Sequence, residues 1–160
     1  MNECRVTGGS VVHELVVATL SHKDLCIKED TVMFSQRMNN NLVKASFSIC
    51  STEKGFHLVV TVREAIPCES YASCGEYLHR LNKMLANDGA LGFFVLDHEQ
   101  GVMTYEANFK SFGMVNSRIV RGYVDDGILQ VSRFGNLLQA SALGEDPAVL
   151  AYQSVAPFQL

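Results

Sequence analysis

The sequence predicts a two-layer α+β domain in which helices pack on a five-stranded antiparallel sheet, in the order α-β-β-β-α-β-β-α. Between residues 31 and 62, apolar and polar residues alternate in segments joined by short turns, which is typical of an antiparallel meander. Two longer segments, at about 70–87 and 115–140, repeat their apolar residues every three or four positions, as amphipathic helices do. A hairpin with a glycine in its loop lies between them.

The first helix is expected at about 11–21. Gly8 and Gly9 interrupt the chain before it, and Ser10 is a residue type that caps helix N-termini. Valines lower the helix propensity of this segment, so a strand is the alternative interpretation.

Three strands are expected to follow. Val32 and Phe34 occupy alternate positions in the first, strict alternation follows at 43–49, and every second residue is apolar again at 56–62. The asparagines at 39–41 and the Thr-Glu-Lys-Gly sequence at 52–55 supply residues suited to turns.

The second helix is expected from Glu69 or Ser70 to Asn87, because an apolar stripe recurs at helical spacing and Asp88-Gly89 is a stop signal. Two strands of a hairpin, at 90–97 and 102–109, should come next. The members of the apolar stripe are Cys74, Tyr77, Leu78, Leu81, Met84 and Leu85.

The third helix, at about 115–140, contains Gly122, Gly127 and Gly135, each of which costs a helix about 1 kcal/mol relative to alanine. They indicate either close packing of one long helix or a break near Gly127. The remaining residues, 144–160, are predicted to be a short tail that adds a helix or strap. We therefore expect a single domain over 1–160, with its core at about 10–141.

Composition excludes several classes of protein. The 160 residues are 48% hydrophobic and 19% charged, which is typical of a folded domain and not of a disordered chain. The net charge of −4 lacks the basic excess common in nucleic-acid binders. With no membrane span, no secretory signal and five scattered cysteines, the sequence predicts a cytoplasmic protein with reduced thiols.

No motif predicts chemistry. The closest histidine and cysteine grouping is His13, His22 and Cys26, and the closest cysteine pair is Cys68 and Cys74, but neither has the spacing of a metal site. A nucleophile motif such as G-x-S-x-G is absent from the sequence. We therefore expect no metal, no cofactor and no enzymatic activity.

Two further candidate sites are weak. Gly8-Gly9-Ser10 precedes a helix but follows no strand and lacks the lysine of a phosphate-binding loop. Arg118 and Arg121 share a helix face with Asp125, and Arg133 lies further along the same helix, which indicates a solvated surface rather than a nucleic-acid interface.

The predicted strands contain more apolar residues than one buried face of the sheet requires. The strand at 56–62 and the whole run Phe93 to Leu96 carry apolar residues on both faces, although a solvated sheet face should be polar. The far face should therefore be covered by the first helix or the tail, by a second subunit, or by a partner protein. Val59, Phe93, Phe94 and Leu96 are the predicted contributors to the core and to this second face.

Three segments resemble the YbjN family of bacterial proteins, described as sensory transduction regulators. They are 76–82, which contains Arg80-Leu81-Asn82, then Gly92-Phe93-Phe94-Val95-Leu96-Asp97, and Gly101-Val102-Met103-Thr104-Tyr105-Glu106. The element order also agrees, over roughly 10–141. The resemblance implies a fold similar to that of type III secretion chaperones, which are small acidic α+β proteins that dimerise and hold a client chain against apolar patches.

The leading functional hypothesis is accordingly a non-enzymatic protein-binding module, chaperone-like or regulatory, forming a homodimer and able to bind a protein client, with no nucleic-acid or membrane partner. The alternative is a small-molecule-binding or catalytic domain with a pocket between sheet and helices, near His57, His79 or Tyr105. A third hypothesis is a passive structural protein without a partner.

Overall fold

The computed structural model describes residues 10–38, 44–110 and 115–155. The predicted turn at 39–41 and the Gly8-Gly9 break lie outside them. Within these ranges the elements, in chain order, are α1 (Ser10–Thr19), β1 (Cys26–Lys28), β2 (Thr31–Arg37), β3 (Lys44–Ser51), β4 (Gly55–Arg63), a 3₁₀-helix (Cys68–Ser70), α2 (Tyr71–Asn87), β5 (Phe93–Asp97), β6 (Val102–Lys110), α3 (Ser117–Ala142) and α4 (Pro147–Val155).

All strands of the sheet pair antiparallel, in the order β1-β2-β3-β4-β6-β5. The prediction of five strands was wrong, because β1 forms an additional strand that pairs with the start of β2. Its three residues are all exposed, so they show no alternation of apolar and polar residues. The predicted order of elements changes accordingly, with a fourth strand before α2 and a fourth helix at the end.

The helices pack on one face of the sheet. α1 contacts β2 and β3, α3 contacts β4 and β6, and α2 contacts β5. Apolar side chains from these helices and from alternate positions of the strands form one buried cluster. α4 lies on the outside of this layer, where it contacts α2 and α3.

The first segment is a helix, not the alternative strand, and it buries Val12, Val16 and Leu20 in the core. The last predicted helix is continuous through Gly127. A methyl group on Gly127 would lie 3.3 Å from side-chain atoms of both Phe47 and Val60. The glycine therefore lets α3 approach the sheet closely. Of the two interpretations of the helix glycines, close packing of one long helix agrees with the structure, and a break near Gly127 does not.

The segment predicted to be a tail contains α4, and a buried hydrogen bond connects α4 to α2. The Tyr77 hydroxyl lies 2.7 Å from Ser154 Oγ, and Ser154 donates its own proton to the Leu150 carbonyl at 2.8 Å. Tyr77 is therefore the donor to Ser154. Burial of the phenol raises the pKa of Tyr77 to about 12.

Candidate protein-binding face

The side of the sheet opposite the helices is covered by no helix that the structure describes. We call it the open face. One row of its side chains crosses all six strands, since cross-strand partners point to the same side. In sheet order this row is Cys26, Met33, Ser48, Val59, Glu106 and Phe93.

The part of the open face near β1 is rich in hydroxyl groups. Ser35, Ser46 and Thr61 lie side by side in the adjacent row. Together with Cys26 and Met33 they line a shallow depression of about 330 Å³, with Asp24 at its border. The short side chains make this region low, and its hydroxyl groups lie among apolar atoms of the lining.

The part of the open face near β5 is apolar. Phe93 is 54% exposed, although it is a large aromatic residue, and Val95 follows it on the same face of the strand. Val59 lies two strands away, with Glu106 as the cross-strand neighbour of both Val59 and Phe93. Val59, Phe93 and Val95 form what we call the apolar patch.

A hydrogen-bonded network runs through this region. His57 Nε2 lies 3.1 Å from Glu106 Oε1, and Thr104 Oγ1 donates to Glu106 Oε2 at 2.9 Å. His57 Nδ1 lies 2.7 Å from the amide oxygen of Asn108. The network pairs the Glu106 carboxylate with His57 and holds it between Val59 and Phe93, so the apolar patch has a polar group inside it.

The same hydrogen-bonded network determines whether His57 could act as a catalytic base. Cys50 is the cross-strand neighbour of His57, a pairing of residue types found in thiol nucleophiles. Both ring nitrogens of His57 are, however, directed to Glu106 and Asn108. The imidazole is therefore not aimed at the Cys50 thiol, and this arrangement lacks the contact from base to nucleophile that such chemistry requires.

The structure separates the four predicted surface residues. Val59 and Phe93 reach the open face, whereas Phe94 is 2% exposed and belongs to the core. Leu96 packs against the core from the helix side. This division follows from the alternation of β5, in which Phe93 and Val95 share one face and Phe94 and Leu96 share the other. Val95 could have been identified from the same alternation.

The residues named for a pocket between sheet and helices are not brought together. His57 lies on the open face, and His79 is exposed on α2. Tyr105 is buried on the helix side, where its hydroxyl donates to Asp126 at 2.5 Å and accepts from the Gly92 N–H at 2.8 Å. Burial, and then the Asp126 carboxylate, raise the pKa of Tyr105 well above its usual value.

The cysteine and histidine groupings also stay apart. Cys68 is exposed at the 3₁₀-helix, whereas Cys74 is buried in α2. Over the three described ranges, no group of three histidine, cysteine or acidic side chains is placed to hold a metal ion. Within those ranges, no helix is both long enough and apolar enough to cross a membrane.

No family model matches this sequence, and no curated protein matches it significantly. A solved structure does share its fold: a chain of the "Crystal Structure of the ExsC-ExsE Complex" superposes with a TM-score of 0.54 and 13% sequence identity. The similarity covers 81% of this chain and 95% of that chain. At this identity the match establishes the fold alone, so the YbjN resemblance stays a prediction. The α+β architecture is confirmed and is shared with a chain solved as part of a complex.

Proposed function

We propose that this chain is a non-enzymatic protein-binding module, chaperone-like or regulatory, that buries apolar partner surface against the open face. The observation that carries the proposal is the apolar patch on a sheet face that no described helix covers. Both internal candidates for covering that face, α1 and the helix of the tail, pack on the other side of the sheet.

The size of the open face fits this role. The six strands, of three to nine residues each, are spaced about 4.8 Å apart and rise about 3.4 Å per residue, so together they present roughly 650 Å² of flat surface. A stable protein interface buries about 800 Å² on each partner, and a transient one buries less. The open face with its rim is therefore large enough for one specific partner.

Two kinds of partner could bind to the open face, given the predicted properties of the chain. One is a second copy, which would give a homodimer, and the other is an apolar segment of a client protein in a bacterial cytoplasm. Support for a protein partner comes from the shared fold, since a chain with this architecture was solved as a component of the ExsC–ExsE complex. The Glu106 carboxylate within the apolar patch would favour a partner that places a hydrogen-bond donor there.

The test replaces the two residues of the apolar patch that the sequence also predicted, in the double variant Val59→Ser/Phe93→Ser. Losing their burial should weaken binding by about 1–2 kcal/mol, or roughly 5- to 30-fold. The matched control is Tyr152→Ser on α4, which removes an aromatic residue that is 71% exposed but remote from the open face. Native mass spectrometry of protein purified gently from its own cells measures whether a second copy or another polypeptide is bound, and circular dichroism checks that each variant is folded.

We expect a dimer or a bound polypeptide for the wild type and for Tyr152→Ser, and a clearly smaller bound fraction for the folded double variant. Association that persists undiminished in the double variant would contradict the proposal, as would a wild type that is strictly monomeric without a bound chain.

A second candidate function, the binding of a small ligand, is favoured by the depression on the open face. It has room for a small molecule, and its hydroxyl groups and the Asp24 carboxylate are suited to hydrogen bonding. Thermal-shift measurements against a panel of metabolites test it. A ligand that raises Tm in the wild type but not in Ser46→Val would support this function, and equal stabilisation of both would count against it.

A further inference from the structure

The side chain of Asn82 on α2 lies against the outer edge of β5. Its Nδ2 donates to the Phe94 carbonyl at 2.8 Å, and its Oδ1 accepts from the Phe94 N–H at 2.8 Å. Because the Phe94 N–H is used in this way, it points away from β6, towards the side where a further strand would pair. The two bonds reproduce the pair that one residue makes with a neighbouring antiparallel strand.

We propose that Asn82 is an autoinhibitory contact that occupies the edge of β5 and prevents it from pairing with β5 of a second copy of this chain. Asn82 ends the Arg80-Leu81-Asn82 sequence, which the proposed function does not use. The contact leaves the open face accessible while closing the edge beside it, so a partner is directed to the face of the sheet.

The sequence of β5 explains why this edge needs protection. Phe93 to Leu96 are four consecutive apolar residues without proline, and Phe93 is already half exposed. Short apolar segments of this kind at a sheet edge pair readily with copies of themselves. The opposite edge is protected differently, since β1 has only three residues and ends in Lys28.

A simpler role for Asn82 is to tether α2 to β5. A tether contributes stability through its hydrogen bonds, and its loss would leave the oligomeric state unchanged. The proposed role makes a different prediction, because removing the amide would leave the Phe94 N–H and carbonyl free to bond to another chain.

The experiment compares Asn82→Ala with Lys83→Ala, a substitution of the neighbouring exposed residue on the same helix. Light scattering after size exclusion measures mass from low to high micromolar concentration, and circular dichroism confirms the fold. We expect the mass of Asn82→Ala to exceed that of the wild type and to rise with concentration, while Lys83→Ala follows the wild type. Hydrogen exchange of residues 93–97 should slow in the assembled fraction of Asn82→Ala. Adding Val59→Ser, which alters the open face but not β5, should leave this association in place.

A folded Asn82→Ala protein with the wild-type mass at every concentration overturns the proposal. So does an assembly in which residues 93–97 exchange no more slowly, or one that Val59→Ser abolishes, because it would not run through the β5 edge. If Asn82→Ala fails to fold, Asn82→Asp, which keeps the acceptor for the Phe94 N–H, is judged by the same criteria. Loss of the fold in both variants also overturns the proposal, since Asn82 would then be a structural tether.

Discussion

Replacing Gly127 by alanine tests whether the close approach of α3 to the sheet depends on the missing side chain. An alanine methyl would lie 3.3 Å from Phe47 and Val60 and 3.5 Å from Leu58. All three side chains are buried at 1% exposure or less, and Phe47 stacks on Phe34 with ring centroids 4.8 Å apart. The surrounding residues therefore have little room to move away from the added methyl group.

The magnitude follows from two opposing terms. Alanine improves helix propensity by about 0.5–1 kcal/mol relative to glycine. Adding a methyl group to a well-packed core costs typically about 1–3 kcal/mol. Subtracting the gain from the cost, we expect Gly127→Ala to lower the free energy of unfolding by about 1 kcal/mol, and by no more than about 2.5 kcal/mol, which corresponds to a decrease in Tm of a few degrees for a chain of this size.

Gly122 in the same helix is the matched control. It is exposed, and a methyl group there would meet no atom within 4 Å. Gly122→Ala should therefore increase stability by about 0.5–1 kcal/mol through propensity alone. Urea denaturation of both variants measures the difference. If Gly127→Ala were as stable as Gly122→Ala, the packing argument for the long helix would be refuted.

Two further predictions concern buried groups. Tyr77→Phe should reduce stability by about 1 kcal/mol in urea denaturation, because it removes the hydrogen bond to Ser154; a loss no larger than the error of the measurement would contradict this role. Since burial raises the pKa of Tyr77 to about 12 from its usual value of 10, the neutral phenol is favoured in the folded state. The stability it contributes should be complete below pH 10 and should decline as pH rises towards 12, whereas Tyr77→Phe should lack this component. Burial likewise raises the pKa of the Cys74 thiol, so alkylation followed by mass spectrometry should modify Cys74 only on unfolding. Alkylation of Cys74 in the native protein as fast as that of the exposed thiols would show that the core opens locally. These exposed thiols are Cys26, Cys50 and Cys68.

Long periodic segments were predictable, since their pattern reflects burial on one side. The stripe of α2 contains Cys74, Leu78, Leu81 and Leu85, which are all buried, and the alternation predicted at 56–62 appears in β4, where every second residue is buried. β1 was missed because three exposed residues carry no pattern. The pairing of β4 with β6 could not be predicted either, because it joins residues 40–55 positions apart in the sequence.

For the candidate site, the order of residues was enough to show that apolar residues exceed what one sheet face requires and that Phe93 to Leu96 is apolar throughout. Which of these residues are accessible became known only from the packing of the helices on the sheet. The tertiary structure placed α1 and α4 with the other helices, which leaves Val59 and Phe93 on the open face and puts Phe94 in the core. It also showed that Asn82 bonds to the β5 edge. Periodicity reports the alternation of faces along one strand, whereas coverage of a face depends on where distant segments of the chain pack.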